Sequence, residues 1–436
     1  MRRIVPLTCV ALLALAGAAS AQPAFRGAGT RSLLQKTELI SRAYDGGLPN
    51  GPSSNAVISN DVRHAKFVAF ESDASNIVAG DSNGSRDVFL VRRAGPYGND
   101  GSDWNADRTF LVSRGRKGAP ANGPSFDSAV SGGLKSDAKC LVFRSAASNL
   151  VKNDTNGRVD AFLSHGPGTT LARVSLPKGR QAVDDTTAVA VSDDCSQIAF
   201  VTGGRLHVRV GKKVYGVKVP GTAADPSFST GTTNALVFGA DQGVYLLRTP
   251  RSKPSLVAAG GRNPVFSDID RAPPACKRPT VAYEALDRGH WQIVAQQLGR
   301  SSRVVSGLGG SAGDRDSRNP VIDNAGCYIT FETEAANLQL DAAGNTGDLN
   351  AQPDVYLYTG VRDITLVQSV LNKGIPAVGG GANPSTSYYA NYIVFDSTSP
   401  LRDQGFGVTC GLLRGCPLPA LDQGSRQVYM RYLGPV

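Results

Sequence analysis

The chain has 436 residues and a formal charge of +10, with 50 glycines, 25 prolines and only two methionines. Such a composition fits an all-β protein full of turns. The basic residues are scattered and form no Lys/Arg block, which argues against a nucleic-acid partner. A chain of this length usually divides into two or three domains unless a repeat builds one closed structure.

The first 21 residues predict a secretory signal peptide. The basic start Met1-Arg2-Arg3 precedes a short apolar run, which ends in the small-residue cleavage site Ala19-Ser20-Ala21. The run is too short to span a membrane, and no other apolar stretch is long enough. We therefore expect residues 1–21 to be removed, and the mature chain, without a membrane span, to act in the periplasm or outside the cell.

Three segments of the remaining chain, residues 66–91, 140–163 and 327–357, repeat one pattern. Each begins with an alternating apolar strand that ends in Phe and a polar residue. Each continues through a polar loop with an Asp-x-Asn-x-x-x-Asp element and ends in a second strand with an aromatic residue. A repeat of this kind outranks local propensity as an indication of the fold.

Weaker copies of the strand pair begin at Ser196, Asn234, Thr280 and Tyr392, which brings the number of pairs to seven. A short strand bounded by turns precedes each pair, at residues 56–59, 128–131, 188–192, 226–229, 264–267, 320–323 and 384–388. A fourth strand follows the first six pairs, at residues 110–113, 171–175, 214–219, 255–258, 303–306 and 364–369.

Four strands that recur about every 50 to 65 residues predict the blades of a β-propeller. The seventh pair lacks a fourth strand, whereas residues 37–41 (TELIS) stand alone near the start and resemble residues 109–113 (TFLVS). We predict an all-β, seven-bladed propeller with four-stranded antiparallel blades, in which the N-terminal strand closes the last blade. It forms a single domain, residues 37–434, after an N-terminal tail, residues 22–36. Six blades with an irregular cap are the alternative.

The repeats resemble the WD40-like PD40 repeats of the TolB-like propellers, a family of exported bacterial proteins. The resemblance covers about residues 37 to 434 and is closest in the three segments that begin at Lys66, Cys140 and Cys327. It implies a toroid with a central channel and with protein or ligand contacts at its faces. TolB also has an α/β domain ahead of its propeller, which residues 22–36 cannot hold, so a TolB role in the Tol–Pal system is in doubt.

An even number of cysteines in an exported chain predicts disulfides. Six remain once Cys9 leaves with the signal peptide: Cys140, Cys195, Cys276, Cys327, Cys410 and Cys416. The first two occupy the turn before the second strand of neighbouring blades, and the next two occupy the same turn in another pair of blades. We expect Cys140–Cys195 and Cys276–Cys327 bonds on one face and a local Cys410–Cys416 bond, with free thiols as the alternative.

Three loops between the second and third strands carry the acidic element and share a face of the ring. Their residues are Asp81, Asn83 and Asp87; Asp154, Asn156 and Asp160; and Asp348, Asn350 and Asp354. Side-chain oxygens at these spacings suit a calcium ion if backbone and water oxygens complete the shell. The other interpretation is a set of turns, because Asp and Asn bond their own backbone and Gly84 and Gly157 allow positive φ. Structural calcium is thus the one cofactor that the sequence suggests.

No catalytic motif stands out. His64, His165, His207 and His290 fall in different blades, and no two have the spacing of metal ligands. Residues 309–313 match Gly-x-Ser-x-Gly, but the string lies in a Gly-rich loop without the helix that a nucleophile elbow needs. We therefore assign no catalytic or cofactor-binding residue, although propeller enzymes gather their catalytic groups at the channel mouth, which spacing alone does not reveal.

The function expected from these patterns is a non-catalytic binding scaffold, a monomer that contacts an unknown protein or ligand of the cell envelope. Its contact region is expected in the long insertion at residues 400–424, together with the acidic loops. One alternative is a propeller-type hydrolase acting on glycans or lactones, which predicts carboxylates and a histidine at the channel mouth with perturbed pKa values. The other is a calcium-stabilised structural protein of the envelope.

Overall fold

The computed structural model describes residues 36–61, 65–94, 106–133, 137–166, 169–231, 233–269, 276, 278–338, 348, 350–370, 377–399 and 425–433. The described helices are single 3-10 turns at Arg116–Gly118, Pro177–Gly179, Ala336–Leu338 and Tyr388–Ala390. None of the helices in this part of the chain is long and apolar enough to cross a membrane. The rest of its regular structure is antiparallel β-sheet.

Seven four-stranded sheets form the blades, which we number in chain order and whose strands we letter A to D from the channel outward. Blades 1 to 3 contain β2 (Ser53–Ile58), β3 (Phe67–Ser72), β4 (Asp87–Arg93) and β5 (Ala106–Leu111); β6 (Ser125–Val130), β7 (Leu141–Ser145), β8 (Asp160–Ser164) and β9 (Ala172–Arg173); and β10 (Thr186–Val191), β11 (Gln197–Thr202), β12 (Arg205–Val210) and β13 (Lys213–Gly216).

Blades 4 and 5 contain β14 (Ala224–Phe228), β15 (Leu236–Ala240), β16 (Gly243–Leu247) and β17 (Ser255–Ala259); and β18 (Arg262–Ser267), β19 (Thr280–Asp287), β20 (His290–Gln297) and β21 (Ser302–Val304). A small hairpin, β22 (Gly307–Leu308) and β23 (Ser311–Ala312), follows them. Blades 6 and 7 contain β24 (Ser317–Ile322), β25 (Tyr328–Thr333), β26 (Asp354–Thr359) and β27 (Ile364–Val367); and β28 (Ala382–Thr386), β29 (Tyr392–Ser397), β30 (Gln427–Tyr432) and β1 (Lys36–Leu39). The seven-bladed prediction is confirmed, and the six-bladed alternative is wrong.

The core lies between the blades, where strands B and C are covered on both faces by the neighbouring sheets. Each B strand carries an aromatic ring near its end, and six of these rings are fully buried phenylalanines: Phe70, Phe143, Phe200, Phe238, Phe331 and Phe395. The C-strand residue opposite is also a ring, as in the Phe70–Phe89 stack with centroids 5.6 Å apart. Such cross-strand pairs stabilise each sheet, and the interblade clusters hold the sheets together.

The N-terminal strand β1 completes blade 7, as predicted. It pairs antiparallel with β30, so that Lys36 lies opposite Tyr432 and Leu39 lies opposite Tyr429. The Ser41 hydroxyl adds a side-chain bond of 2.9 Å to Gln427 Oε1 and accepts a 3.0 Å bond from the Val428 amide. The two ends of the described chain therefore close the ring.

The two faces of the ring differ in the connections they carry. The A–B and C–D turns form one face, which we call the disulfide face because Cys140–Cys195 joins blades 2 and 3 there and Cys276–Cys327 joins blades 5 and 6. Their Cα atoms are 6.1 and 5.4 Å apart, so both predicted interblade bonds are confirmed. The B–C and D–A loops form the opposite, acidic-loop face. Such bonds are typical of oxidising compartments.

Candidate functional site

The A strands begin about three residues earlier than the sequence suggested, because each contains a β-bulge. In blade 1, the register shifts between Ser54 and Val57, and the extra residue Asn55 has a φ of +50°. Five other blades place an Asp or Asn with positive φ at the same position, and blade 3 places Thr187 there. Asp and Asn tolerate this conformation better than other non-glycine residues. We call these seven residues the Asx ring: Asn55, Asp127, Thr187, Asp225, Asn263, Asn319 and Asn383.

The Asx ring surrounds the channel mouth on the acidic-loop face, where it lines a cavity of about 420 Å³. A larger cavity, of about 780 Å³, lies on the outer flank between the D strands of blades 7 and 1. We take the smaller cavity as the candidate site because the repeat converges there. One side chain from each blade reaches a single opening, which no position on the outer flank achieves.

Four neighbouring blades contribute asparagines, which we call the amide arc: Asn263, Asn319, Asn383 and Asn55. Asn263 Nδ2 donates to Asn319 Oδ1 at 3.2 Å, and Asn319 Nδ2 donates to Asn383 Oδ1 at 3.4 Å. These bonds orient the amides in one direction around the channel. Each amide group has four hydrogen-bonding positions, so donors and acceptors remain for a ligand in the cavity.

The opposite side of the Asx ring, the carboxylate arc, consists of Asp127, Thr187 and Asp225. Asp127 forms an ion pair with Arg144, which also donates to the Thr186 carbonyl at 3.0 Å. The Asp225 side chain is exposed to the cavity. The mouth therefore has an uncharged half and an acidic half.

Acidic residues behind the ring hold its unusual backbone in place. A bulged residue has no ladder partner for its N–H group, and an unpaired buried donor is costly. Glu284 Oε1 accepts the Asn319 N–H at 2.9 Å, and Glu332 Oε2 accepts the Asn383 N–H at 2.8 Å, in each case from the preceding blade. These carboxylates are the polar residues that follow the B-strand aromatic ring in the repeat, and they position the Asx ring.

Several carboxyl groups at the mouth have raised pKa values. Partial loss of water around the Asp225 carboxyl raises its pKa although the residue stays open to the cavity, and nearby Glu284 raises it further against the opposing effect of Arg262. Burial likewise raises the pKa of Glu71, although its bond with Asn55 lowers it. Asp396, fully buried behind Asn383, has a pKa raised to about 6 by burial against the effect of Arg426. Perturbed carboxyl groups that line a cavity are typical of acid–base sites.

The channel is closed at the disulfide face. There, Asn324 Nδ2 of blade 6 donates to the Asn60 carbonyl of blade 1 at 2.8 Å. Thr230 Oγ1 of blade 4 donates to the Asp323 carbonyl of blade 6 at 3.2 Å. These partners belong to blades that are not neighbours, so the bonds cross the end of the channel. Among the described residues, these bonds bridge the channel at the end opposite the Asx ring.

The three acidic loops lie together on the acidic-loop face, where internal hydrogen bonds close each of them. The asparagine amide donates to the last aspartate in every loop, as from Asn83 Nδ2 to Asp87 Oδ2 at 2.7 Å. The same aspartate accepts a D-strand serine hydroxyl, as Asp160 does from Ser175 at 2.6 Å. These contacts support the turn interpretation. Within the described residues, no group of three His, Cys, Asp or Glu side chains forms a metal site, and calcium in the loops stays a prediction.

Blade 2 differs from blades 1 and 6 because an arginine balances its acidic loop. Arg173 Nη1 bonds Asp154 Oδ1 at 2.9 Å, Asp160 Oδ2 at 3.0 Å and Gln181 Oε1 at 2.9 Å. By alignment of the D strands, blades 1 and 6 have Leu111 and Val367 at this position. Burial, against the serine bond, raises the pKa of Asp87 to about 6 and that of Asp354 to about 7.

These raised values make stability depend on pH. Because folded Asp354 holds its proton more tightly than the unfolded chain does, its contribution to stability falls as the pH rises from about 4 to about 7. We expect Asp354→Asn to be less stable than the wild type by about 1 kcal/mol at pH 4, where a hydrogen bond is lost. At pH 8 it should be more stable by about 1 kcal/mol, because no charge is buried. Urea unfolding at pH 4 and at pH 8, in the presence of a chelator, measures the difference in unfolding free energy between Asp354→Asn and the wild type. A difference that is the same at both pH values would contradict the burial argument.

The remaining predicted residues do not converge on the mouth. His207 stacks on Phe200, and its pKa is lowered by burial and by Arg205. His290 Nδ1 lies 3.5 Å from Asp316, and His165 is exposed. The Gly-x-Ser-x-Gly string forms the hairpin β22–β23 without a following helix, as expected. His64, the Cys410–Cys416 pair, residues 400–424 and the signal peptide lie outside the described residues.

Several solved structures resemble this chain at low sequence identity. No family model matches the chain, and no curated protein matches it in sequence. An oligogalacturonate lyase structure from Vibrio parahaemolyticus has a TM-score of 0.49 at 9% identity, over 91% of this chain and 96% of that one. An oligogalacturonate lyase in complex with manganese gives 0.48 at 11% identity, over 92% and 96%. The β-propeller domain of the Trilobed protease from Pyrococcus furiosus gives 0.44 at 9%, over 80% and 91%. At these identities the likeness shows the propeller fold alone.

The predictions of a non-catalytic scaffold and of a chain that is not an enzyme are contradicted. Two of the solved structures named above are lyases by name. The structure also places the carboxyl groups of Asp127 and Asp225 at one mouth, and the pKa of Asp225 is raised, whereas those predictions expected no acid–base group there. The glycan-enzyme alternative expected such carboxylates together with a histidine, and no described histidine lines the cavity.

Proposed function

We propose that the chain is a propeller enzyme that acts on glycans at the Asx ring. The observation that carries this proposal is the division of the ring into an amide arc and a carboxylate arc. Oriented amides offer paired donors and acceptors, which suit the many hydroxyl groups of a sugar. A carboxyl group with a raised pKa and a second carboxylate are the two groups that acid–base cleavage of a glycosidic bond requires.

In the proposed reaction, the Asp225 carboxyl donates its proton to the oxygen of the leaving sugar as the C–O bond breaks. Asp127 accepts a proton from a water molecule, whose oxygen forms the new bond to the anomeric carbon. The two residues belong to blades 2 and 4, and the intervening blade contributes only Thr187, which leaves room for the water. An inverting enzyme needs a gap for its water between the two carboxyl groups, and one blade lies between Asp127 and Asp225, so we propose an inverting hydrolase.

The setting of the enzyme is also a proposal. The signal sequence and the two disulfides support an exported protein of the periplasm or the extracellular space. The repeat segments support membership of the TolB-like PD40 propellers. Structural calcium, if bound, would lie in the acidic loops of blades 1, 2 and 6.

The amide arc provides the test of the proposed function. Glycine at Asn263, Asn319 and Asn383 removes the amides but keeps the positive φ of the backbone. On an oligosaccharide that the wild type cleaves, we expect the triple variant to raise KM by about 10- to 100-fold, because each lost bond to a hydroxyl costs about 0.5–1.5 kcal/mol.

The matched control is Asn153→Gly, a replacement at an exposed asparagine with a φ of +60° in the acidic loop of blade 2. It should leave KM unchanged. Proton NMR of the first product gives the anomeric outcome, for which we expect inversion. Failure of the wild type to bind or cleave any sugar in a broad oligosaccharide panel, or equal KM values for the triple variant and the control, would refute the proposal.

A further inference from the structure

The mouth is acidic although the chain as a whole is basic. Six carboxylates form or directly support the Asx ring: Asp127, Asp225, Glu71, Glu284, Glu332 and Asp396. Four guanidiniums pair with them, from Arg144, Arg262, Arg426 and Arg86. The mouth thus has a net charge of −2 when all of these groups are ionised and of −1 when Asp225 holds its proton, whereas the whole chain carries +10. A charge reversal confined to a pocket concentrates ligands of the opposite sign.

Two carboxylate oxygens behind the ring have no partner among the described residues. Glu71 Oε2 and Asp396 Oδ1 make no hydrogen bond, and their residues are only 3% and 0% exposed. Their neighbours on the ring, Asn55 and Asn383, bond only the other oxygen of each pair. Guanidiniums pair with the same carboxyl groups, Arg86 with Glu71 at 3.8 Å and Arg426 with Asp396 at 2.7 Å, so only part of their negative charge acts at the pocket wall.

The charges that face the pocket exclude some sugars more strongly than others. Arg144 and Arg262 are already engaged, Arg144 with Asp127 and Arg262 with Glu284 at 2.8 Å. Arg262 also lies 3.6 Å from the Trp291 ring centre, which fixes its guanidinium at the rim. A uronic acid would bring a carboxylate to Asp225, where no described residue forms an ion pair. An ammonium group would find acceptors there and would remove the repulsion between the acids.

We propose that the glycan taken by the Asx ring carries a protonated amine, as a glucosamine-type unit does, and that uronic acids are disfavoured. This inference rests on the proposed function, since it names the substrate class of the same site. The amine would lie beside the ionised Asp127 on the carboxylate arc, while Asp225 keeps its proton and the hydroxyl groups bond to the amide arc. Specificity then comes from repulsion of anionic sugars as much as from attraction of cationic ones.

Calorimetry with short oligomers of glucosamine, N-acetylglucosamine and galacturonate, using the full mature protein, tests the inference. We expect the amine oligomer to bind at least tenfold tighter than the acetylated one at low salt, and the galacturonate oligomer to bind weakest. Asp127→Asn should reduce the preference for the amine about threefold or more. Asp45→Asn, which makes the same charge change at an exposed turn, should leave it unchanged.

The outcomes separate this inference from the proposed function. If the acetylated and amine oligomers bind equally and the Asn→Gly triple variant weakens both, the glycan site stands and the amine preference is wrong. If galacturonate binds tightest and Asp127→Asn strengthens its binding, the preference is reversed and the inference fails. If no substitution at the mouth changes galacturonate binding, the galacturonate oligomer binds the basic outer surface. The inference then stands if the amine oligomer binds tighter than the acetylated oligomer, and it fails if the two bind equally. If no oligomer binds, both proposals fall.

Discussion

Asp225→Asn is expected to lower kcat on a cleaved oligosaccharide by about 10²- to 10⁴-fold, the usual contribution of a positioned general acid. Asparagine keeps the size of the side chain and tolerates the positive φ of +46° at this position, so the Asx ring should keep its shape. The amide has no acidic proton to give to the leaving oxygen. KM should change by less than about threefold, because the amide arc remains.

The pH profile distinguishes this role from a structural one. Because burial raises the pKa of Asp225, the group stays protonated to a higher pH than an ordinary aspartate, and activity should fall as the pH rises through that pKa. The alkaline limb of kcat/KM should disappear in Asp225→Asn and persist in Asp45→Asn. A leaving group that departs readily without a proton, such as a nitrophenol, should restore part of the lost rate. An unchanged profile in the variant would assign the limb to another residue.

Removal of β1 is expected to abolish the cooperative fold of blade 7. Without residues 36–41, strand β30 loses its outer partner and becomes an exposed edge, which is a template for aggregation. The loss also exposes the core against which the buried side chains of Leu39 and Ile40 pack, each worth about 1.5–3 kcal/mol. We expect the truncated protein to be largely insoluble, or to melt at least 10 °C lower, in thermal unfolding followed by circular dichroism.

A peptide supplied in trans makes this prediction specific. Residues 36–43 as a synthetic peptide should bind the edge of β30 and raise the melting temperature of the truncated protein. A peptide with Leu39 and Ile40 replaced by Asp keeps the backbone hydrogen bonds but not the apolar contacts. It should not raise the melting temperature of the truncated protein. If the truncated protein has the same melting temperature as the wild type, the ring closes without its N-terminal strand.

The fold was predictable because its signals are local and repeated. Alternating apolar strands, Phe at a fixed position and a lone strand at residues 37–41 specify blades and closure without any distant contact. The interblade disulfides followed because equivalent turns of adjacent blades must lie near one another, as Cys140 and Cys195 do. Even the weak copy that begins at Ser196 forms a complete blade, since its buried Phe200 keeps the shared position.

The candidate site was not predictable in the same way, although a signal for it existed. Three Asn-Pro pairs have the pattern of turns, and the predicted A strands therefore begin after them. The observed A strands run through these pairs, which are Asn263-Pro264, Asn319-Pro320 and Asn383-Pro384. The bulge that turns these side chains into the channel depends on acceptors from another blade, such as Glu284 for the Asn319 N–H. Sequence spacing does not report contacts between blades. Alignment of the residue before each Pro and of the polar residue after each B-strand aromatic would have pointed to the Asx ring.

The bonds from Asn324 to Asn60 and from Thr230 to Asp323 turn the toroid into a dead end. A polymer that entered the channel could not leave at its other end. Because Asp127 and Asp225 lie at the mouth itself, a long glycan can lie across the Asx ring and reach both residues without a free end. An enzyme of this shape would cut within chains as well as at their termini.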